Sequence, residues 1–174
     1  MKLLSQNHAL VRLKQIRDDH RSAVTEGYEH RAKSCLTCKT PGACCLDAHF
    51  VNVNISRLEA VAVRRTLDGL AREQRDEIYA RIDAAISKYQ LTKTGDTFEQ
   101  KYACPLYEKG TGCLVHDTAK PLACITHACY ENAANLPPDE LQSAGELRID
   151  KLNTRTYGRP QLWLPIPLAI DAVR

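Results

Sequence analysis

The chain has 174 residues, 44% apolar and 26% charged, enough for one domain with its own core and too apolar for wholesale disorder. Its net charge is +3, with 24 basic against 21 acidic residues, and stretches such as "RLKQIRDDHR" mix the two signs. That balance does not argue for a nucleic-acid partner, and no stretch approaches the length of a membrane helix.

The N-terminal stretch "MKLLSQNHALVRLKQIRDDH" breaks its apolar run after Leu4 and has no small-residue cleavage site, unlike a signal peptide. It predicts a cytoplasmic protein whose thiols stay reduced. Residues 3–33 are expected to form an N-terminal helical segment, one long helix or a helix pair. Leu3, Leu10, Leu13, Ile16, Val24 and Tyr28 recur at roughly helical spacing, and Arg12, Lys14, Asp18, Asp19 and Arg21 occupy the other face. His8, His20 and His30 are expected to face solvent. A cysteine loop follows at 34–47, turned at Pro41-Gly42.

"HFVNVNIS" (49–56) alternates Phe50, Asn52 and Asn54 with Val51, Val53 and Ile55, the pattern of a short strand with one apolar face. Ser56 and Glu59 have capping-box spacing at the head of a helix that Asp68-Gly69 should break. A second helix is expected over about 70–90, with Ile78, Ile82, Ala85, Ile86 and Tyr89 on one stripe and "KTGDT" ending it. After the second cysteine stretch (102–130), Pro137-Pro138 starts a segment expected to be helical over 139–149. The tail "YGRPQLWLPIPLAI" reads as too rich in proline for a helix. It should run extended across the surface, anchored by Leu162, Trp163, Leu164 and Ile166. The expected whole is a single domain over 1–174, small, irregular and mainly α with a short strand or hairpin. Its metal-stapled core would span 34–130, with a C-terminal helix and Pro-rich tail over 139–174.

The eight cysteines fall in two groups, Cys35-x2-Cys38-x5-Cys44-Cys45 and Cys104-x8-Cys113-x10-Cys124-x4-Cys129. A reducing compartment argues against four disulfides, and so does local geometry. Adjacent Cα atoms lie about 3.8 Å apart, whereas disulfides usually want roughly 4.4–6.8 Å. Metal ligation meets neither objection. A C-x2-C step lets the backbone curl so that both sulfurs reach one ion. Lys33, Lys39, Lys101, Lys109 and Lys120 flank the groups, and positive neighbours favour thiolates. Cys35, Cys38, Cys44, Cys45, Cys104, Cys113 and Cys124 are therefore the candidate metal ligands. Cys129 fits a ligand or a small buried apolar residue equally well. His116 and His127, each at x2 from a cysteine, have ligand spacing, but abundant sulfur favours a supporting or surface place for both. His49, beside the first loop, could hydrogen-bond a ligand sulfur.

"CLTCKTPGACC" followed by "CPLYEKGTGCLVHDTAKPLAC" resembles the YkgJ-type cysteine-cluster family, the CxxCxxCC zinc- or iron-chelating domains. The matching positions are Cys35, Cys38, Cys44, Cys45, Cys104-Pro105, Gly112-Cys113 and Lys120-Pro121 to Cys124, over about residues 35–124. The gap before Cys44-Cys45 is longer than the family's, and His116 stands where an aromatic residue is usual. The resemblance implies a chelated metal centre. Flagellin lysine methyltransferases are similar over this motif and are thought to carry an iron–sulfur cluster. They imply an iron–sulfur centre here, a 4Fe–4S cluster in preference, with zinc as the alternative occupant.

A cysteine nucleophile with a histidine base is possible in principle, but nothing singles out one cysteine; no P-loop, His-Glu-x-x-His or Rossmann-type glycine motif accompanies them, and "KGTGC" lacks the third glycine. The expected functions are an iron–sulfur protein in redox sensing, electron transfer or cluster handling, a structural zinc scaffold, or an enzyme of the lysine-methyltransferase kind. An unidentified protein partner is expected, with neither nucleic acid nor membrane.

Overall fold

The computed structural model describes residues 2–33, 42–46, 52–127, 129–130 and 132–174. Six α-helices and six two-residue strands lie among them. In chain order they are α1 (Gln6–Gly27), β1 (Ala32–Lys33), β2 (Asn54–Ile55), α2 (Arg57–Asp68), α3 (Arg72–Lys88), β3 (Tyr107–Glu108), β4 (Gly112–Cys113), α4 (Leu122–Thr126), β5 (Cys129–Tyr130), α5 (Asp139–Tyr157), β6 (Leu164–Pro165) and α6 (Ile166–Asp171). The fold is mainly helical, as expected. Its strands form antiparallel pairs: β1 with β5, β2 with β6, and the β3–β4 hairpin. No helix among the described residues is long and apolar enough to cross a membrane.

The elements group into two compact units. The first holds α1, β1, α4, β5 and α5. Ser5 caps α1, its Oγ accepting from the His8 amide at 3.4 Å. The helix buries Ala9, Leu13, Ile16 and Val24. Leu3, expected on that stripe, is 54% exposed, because α1 begins only at Gln6. Helix α5 runs antiparallel to α1. The Leu4 amide donates to the Arg155 carbonyl (3.0 Å), Gln6 Nε2 to Tyr157 Oη (3.2 Å), and Arg148 Nη2 to Asp19 Oδ2 (2.9 Å). It starts after Pro137-Pro138 as expected and continues past residue 149 to Tyr157, because Ile149, Leu152 and Thr156 keep its buried face supplied. Gly145 lets α4 approach: a Cβ there would stand 2.7 Å from Leu122 Cδ1, a fully buried side chain.

His20 corrects the sequence reading. It is buried, with Nε2 2.7 Å from Thr126 Oγ1 of α4. It stands one turn from both Ile16 and Val24, on the face the core covers. His8 and His30 are exposed, as expected.

In the second unit α6 packs against α2, α3 and the β2–β6 pair. The capping box is present: Ser56 Oγ accepts from the Glu59 amide (3.3 Å), and Glu59 Oε2 accepts from the Ser56 amide (2.9 Å). Helix α2 ends at Asp68 with Gly69 as its cap. Helix α3 buries Ile78, Ile82 and Ala85 as expected, but it ends at Lys88, several residues before "KTGDT". The chain leaves it through Gln90 at φ 51°.

Two further expectations fail here. Asn54 and Ile55 are both buried, so β2 has no solvent face; Asn54 Nδ2 donates to the Asn52 and Thr97 carbonyls (3.3 Å each). Residues 49–51 of that expected strand, with His49, lie outside the described residues. The Pro-rich tail is no surface strap. Leu162 is exposed, but Leu164–Pro165 pair with β2 and residues 166–171 form helix α6, which is core. Pro167 is tolerated because it lies in the first turn, where an amide hydrogen has no helical partner to lose.

The phenol of Tyr102, fully buried, ties this unit's strand ends together. Its Oη donates to the Val53 carbonyl and accepts from the Ile166 amide at 2.9 Å. Local patterning around Tyr102 carries no sign of that role.

Candidate metal centre

The site is built where the first cysteine loop meets the β3–β4 hairpin, within the second unit. Residues 43–45 form one turn of 3₁₀-helix carrying Cys44 and Cys45. Gly42 enters it at φ 80°, and a Cβ on Gly42 would overlap the Tyr107 ring. Both facts select glycine. The turn is tied to the second cysteine stretch by its backbone, the Cys104 amide donating to the Cys45 carbonyl at 2.8 Å.

Cys104 is then followed by a chain reversal. The Tyr107 amide donates to the Cys104 carbonyl (3.2 Å), and the hairpin pairs Tyr107 with Cys113. The amides of Leu106 and Tyr107 also point at the Cys104 thiol, and the Val115 amide points at the Cys113 thiol. Amide donors two and three residues past a cysteine favour the thiolate and are the contacts that tune a metal-bound sulfur.

Electrostatics opposes ionisation while no cation is present. Cys104 keeps part of its surface exposed, yet burial of its thiol pushes the pKa up to about 12. The charge of Cys113 adds to that shift; the amide donors and, more weakly, Arg81 oppose it. Burial raises Cys113 in the same direction, against the Val115 amide and the charge of Lys120. The charge of the flanking Lys120 thus acts on Cys113, and that of Arg81 on α3, which sequence spacing does not single out, acts on Cys104. The pair fits a thiolate-binding cation: neutral thiols when alone, with donors already aimed at the sulfurs for when a positive ion drives the protons off.

Cys44, Cys45, Cys104, Cys113 and Cys124 are present as thiols. Cys124 lies half-buried on α4 in the first unit, and β5 places the Cys129 backbone opposite Lys33. Cys35 and Cys38 lie outside the described residues. Among the described residues no group of three or more His, Cys, Asp or Glu side chains is positioned to hold a metal ion. The described ligand geometry therefore comprises the Cys104–Cys113 pair with the Cys44-Cys45 turn bonded beside it through backbone. His116 and His127 are both exposed, and His116 Nε2 lies 4.0 Å from Asp117 Oδ1.

Comparison of the chain with protein-family models, curated proteins and solved structures found no match.

Proposed function

We propose that this chain is a metal-binding protein of the YkgJ-type cysteine-cluster kind. Its cysteines ligate an iron–sulfur cluster, 4Fe–4S in preference, for redox sensing, electron transfer or cluster handling in a reducing, cytoplasmic setting with a protein partner. The observation that carries the reading is the treatment of two sulfurs. Cys113 lies close enough to Cys104 to shift its ionisation, and two backbone amides are aimed at the Cys104 sulfur and one at that of Cys113. A core sulfur with no charge to carry needs no such donors. The other candidate ligands are Cys35, Cys38, Cys44, Cys45 and Cys124, and more sulfurs are available than one cubane or one zinc ion requires.

When bound, a cluster would supply one-electron transfer; the chain's share is to hold the thiolates, donate amides to them and keep water back. A structural zinc site is the second reading. Sulfur ligands suit zinc as well as iron, and the same Cys104 and Cys113 thiols would serve it. Lysine methyltransfer rests on the family likeness alone.

The test is metal content after single Cys→Ser changes. Cys104→Ser and Cys113→Ser are each expected to lose most of the bound metal while keeping a helical far-ultraviolet spectrum. Full metal content in both would overturn the assignment. Cys35→Ser, Cys38→Ser, Cys44→Ser, Cys45→Ser and Cys124→Ser then sort ligands from bystanders.

A further inference from the structure

The first unit carries a second feature, unrelated to the cysteines. Antiparallel α1 and α5 are clamped at one end by Leu4–Arg155 and Gln6–Tyr157, and at the other by Arg148–Asp19. Between the clamps an open surface cleft of about 320 Å³ runs along the two helices, lined by Arg12, Gln15, Ile16, Arg148, Lys151 and their neighbours Leu152 and Arg155. That volume lies at the low end of the roughly 300–1,000 Å³ of small-molecule sites.

The charge of the cleft is one-sided. Four cations line it and no acid does. Asp19 pairs with Arg148 and accepts from Gln15 Nε2 (2.7 Å), so that end is neutralised and held. Among the described residues no carboxylate pairs with Arg12, Lys151 or Arg155. Like charges at i and i+4, as in Lys151 and Arg155, repel on a helix surface. The α5 dipole offsets this at Arg155, in the last turn, but not at Arg12 or Lys151. Solvated helix faces of this chain look different: Lys14–Asp18 on another face of α1 and Arg72–Asp76 on α3 are each paired four residues apart.

We infer that this cleft binds a small organic polyphosphate, its phosphates held by Arg12, Lys151 and Arg155 and its less polar body resting over Ile16 and Leu152. Two guanidinium forks match phosphate oxygens in bidentate fashion, and three uncompensated cations exceed what a single carboxylate would neutralise. The small volume of the cleft favours a small ligand over a nucleic-acid strand, which would need basic residues continuing beyond it.

The test is calorimetric titration of the whole chain at low ionic strength with adenosine 5′-triphosphate and, separately, inorganic triphosphate. One-site saturable binding is expected for both. Arg12→Gln and Arg155→Gln should each weaken it about tenfold, the loss of one charge-assisted contact. Arg72→Gln, an equal change in net charge on exposed α3, should leave it unchanged. Tighter binding of the nucleotide than of inorganic triphosphate would assign a role to the apolar floor, and equal affinity would assign the recognition to phosphate alone; both support the site. Absence of saturable binding, or equal weakening by Arg72→Gln, would overturn it. So would binding of a single-stranded oligonucleotide without binding of either small probe.

Discussion

The Cys104 amide donates to the Cys45 carbonyl at 2.8 Å, joining two cysteine stretches 59 positions apart in the chain. The bond uses backbone, so it holds whichever sulfurs bind metal. It fixes where the Cys44-Cys45 turn stands relative to the hairpin that carries Cys113.

Gly42→Ala should loosen the junction. The substitution meets both a left-handed φ of 80° and the Tyr107 ring. A loss of about 1–3 kcal/mol in folding stability is expected, read by urea denaturation. Adding Tyr107→Ala should relieve the overlap and recover part of the loss, leaving the backbone share. Unchanged stability in Gly42→Ala would mean that this turn does not pack as described.

Tyr102→Phe removes the hydroxyl that the Val53 carbonyl and the Ile166 amide share, and leaves them only their direct bond to each other at 3.3 Å. Each is at the edge of the β2–β6 pair. A cost of about 0.5–1.5 kcal/mol is expected with an unchanged urea m-value, since surface exposed on unfolding stays the same. A stability within error of the parent would show that the direct Ile166 amide–Val53 carbonyl bond suffices without the phenol.

His20 makes the first unit sensitive to mild acid. Burial, and then the charge of Arg148, lowers its pKa from the usual 6.5. Below 6.5 the unfolded chain takes up a proton that the folded chain refuses, so stability falls as pH drops from 6.5 toward the folded value and is fully present above 6.5. His20→Gln should flatten the pH dependence of the melting temperature across that window. An unchanged slope would place the dependence on another group.

The metal-free thiols behave in the opposite sense. With Cys104 raised from 9.0 to about 12, the unfolded chain releases a proton first as pH rises. Stability of the metal-free protein is therefore present below pH 9 and declines between about 9 and 12. At pH 8, Cys104 in metal-free protein should react with iodoacetamide at least about tenfold more slowly than free cysteine, because the thiolate is the nucleophile. Labelling followed by peptide mass spectrometry reads this directly; a rate equal to that of free cysteine would contradict the buried, neutral thiol.

What could be read from the chain was local. Ser56 and Glu59 announce the start of α2 because both halves of a capping box lie within four residues. Pro137-Pro138 places the start of α5 by the same kind of short-range rule. The burial of His20 was also legible, since Ile16, His20 and Val24 share one helical face, but histidine chemistry pulls the reading toward solvent. Helix α6 was hidden because proline content outweighs position: Pro167 breaks a helix interior but not its first turn. The amides aimed at Cys104 and Cys113, the Arg81 contribution and the bridging role of Tyr102 depend on chain reversals and on partners far along the chain. No residue spacing encodes them.

The central claim is that the cysteines hold an iron–sulfur cluster. Protein purified without oxygen should be brown, with a broad visible absorption band and matched iron and sulfide. The band should bleach on exposure to air. A colourless protein with stoichiometric zinc, or one with neither metal and all thiols free to react, would contradict it.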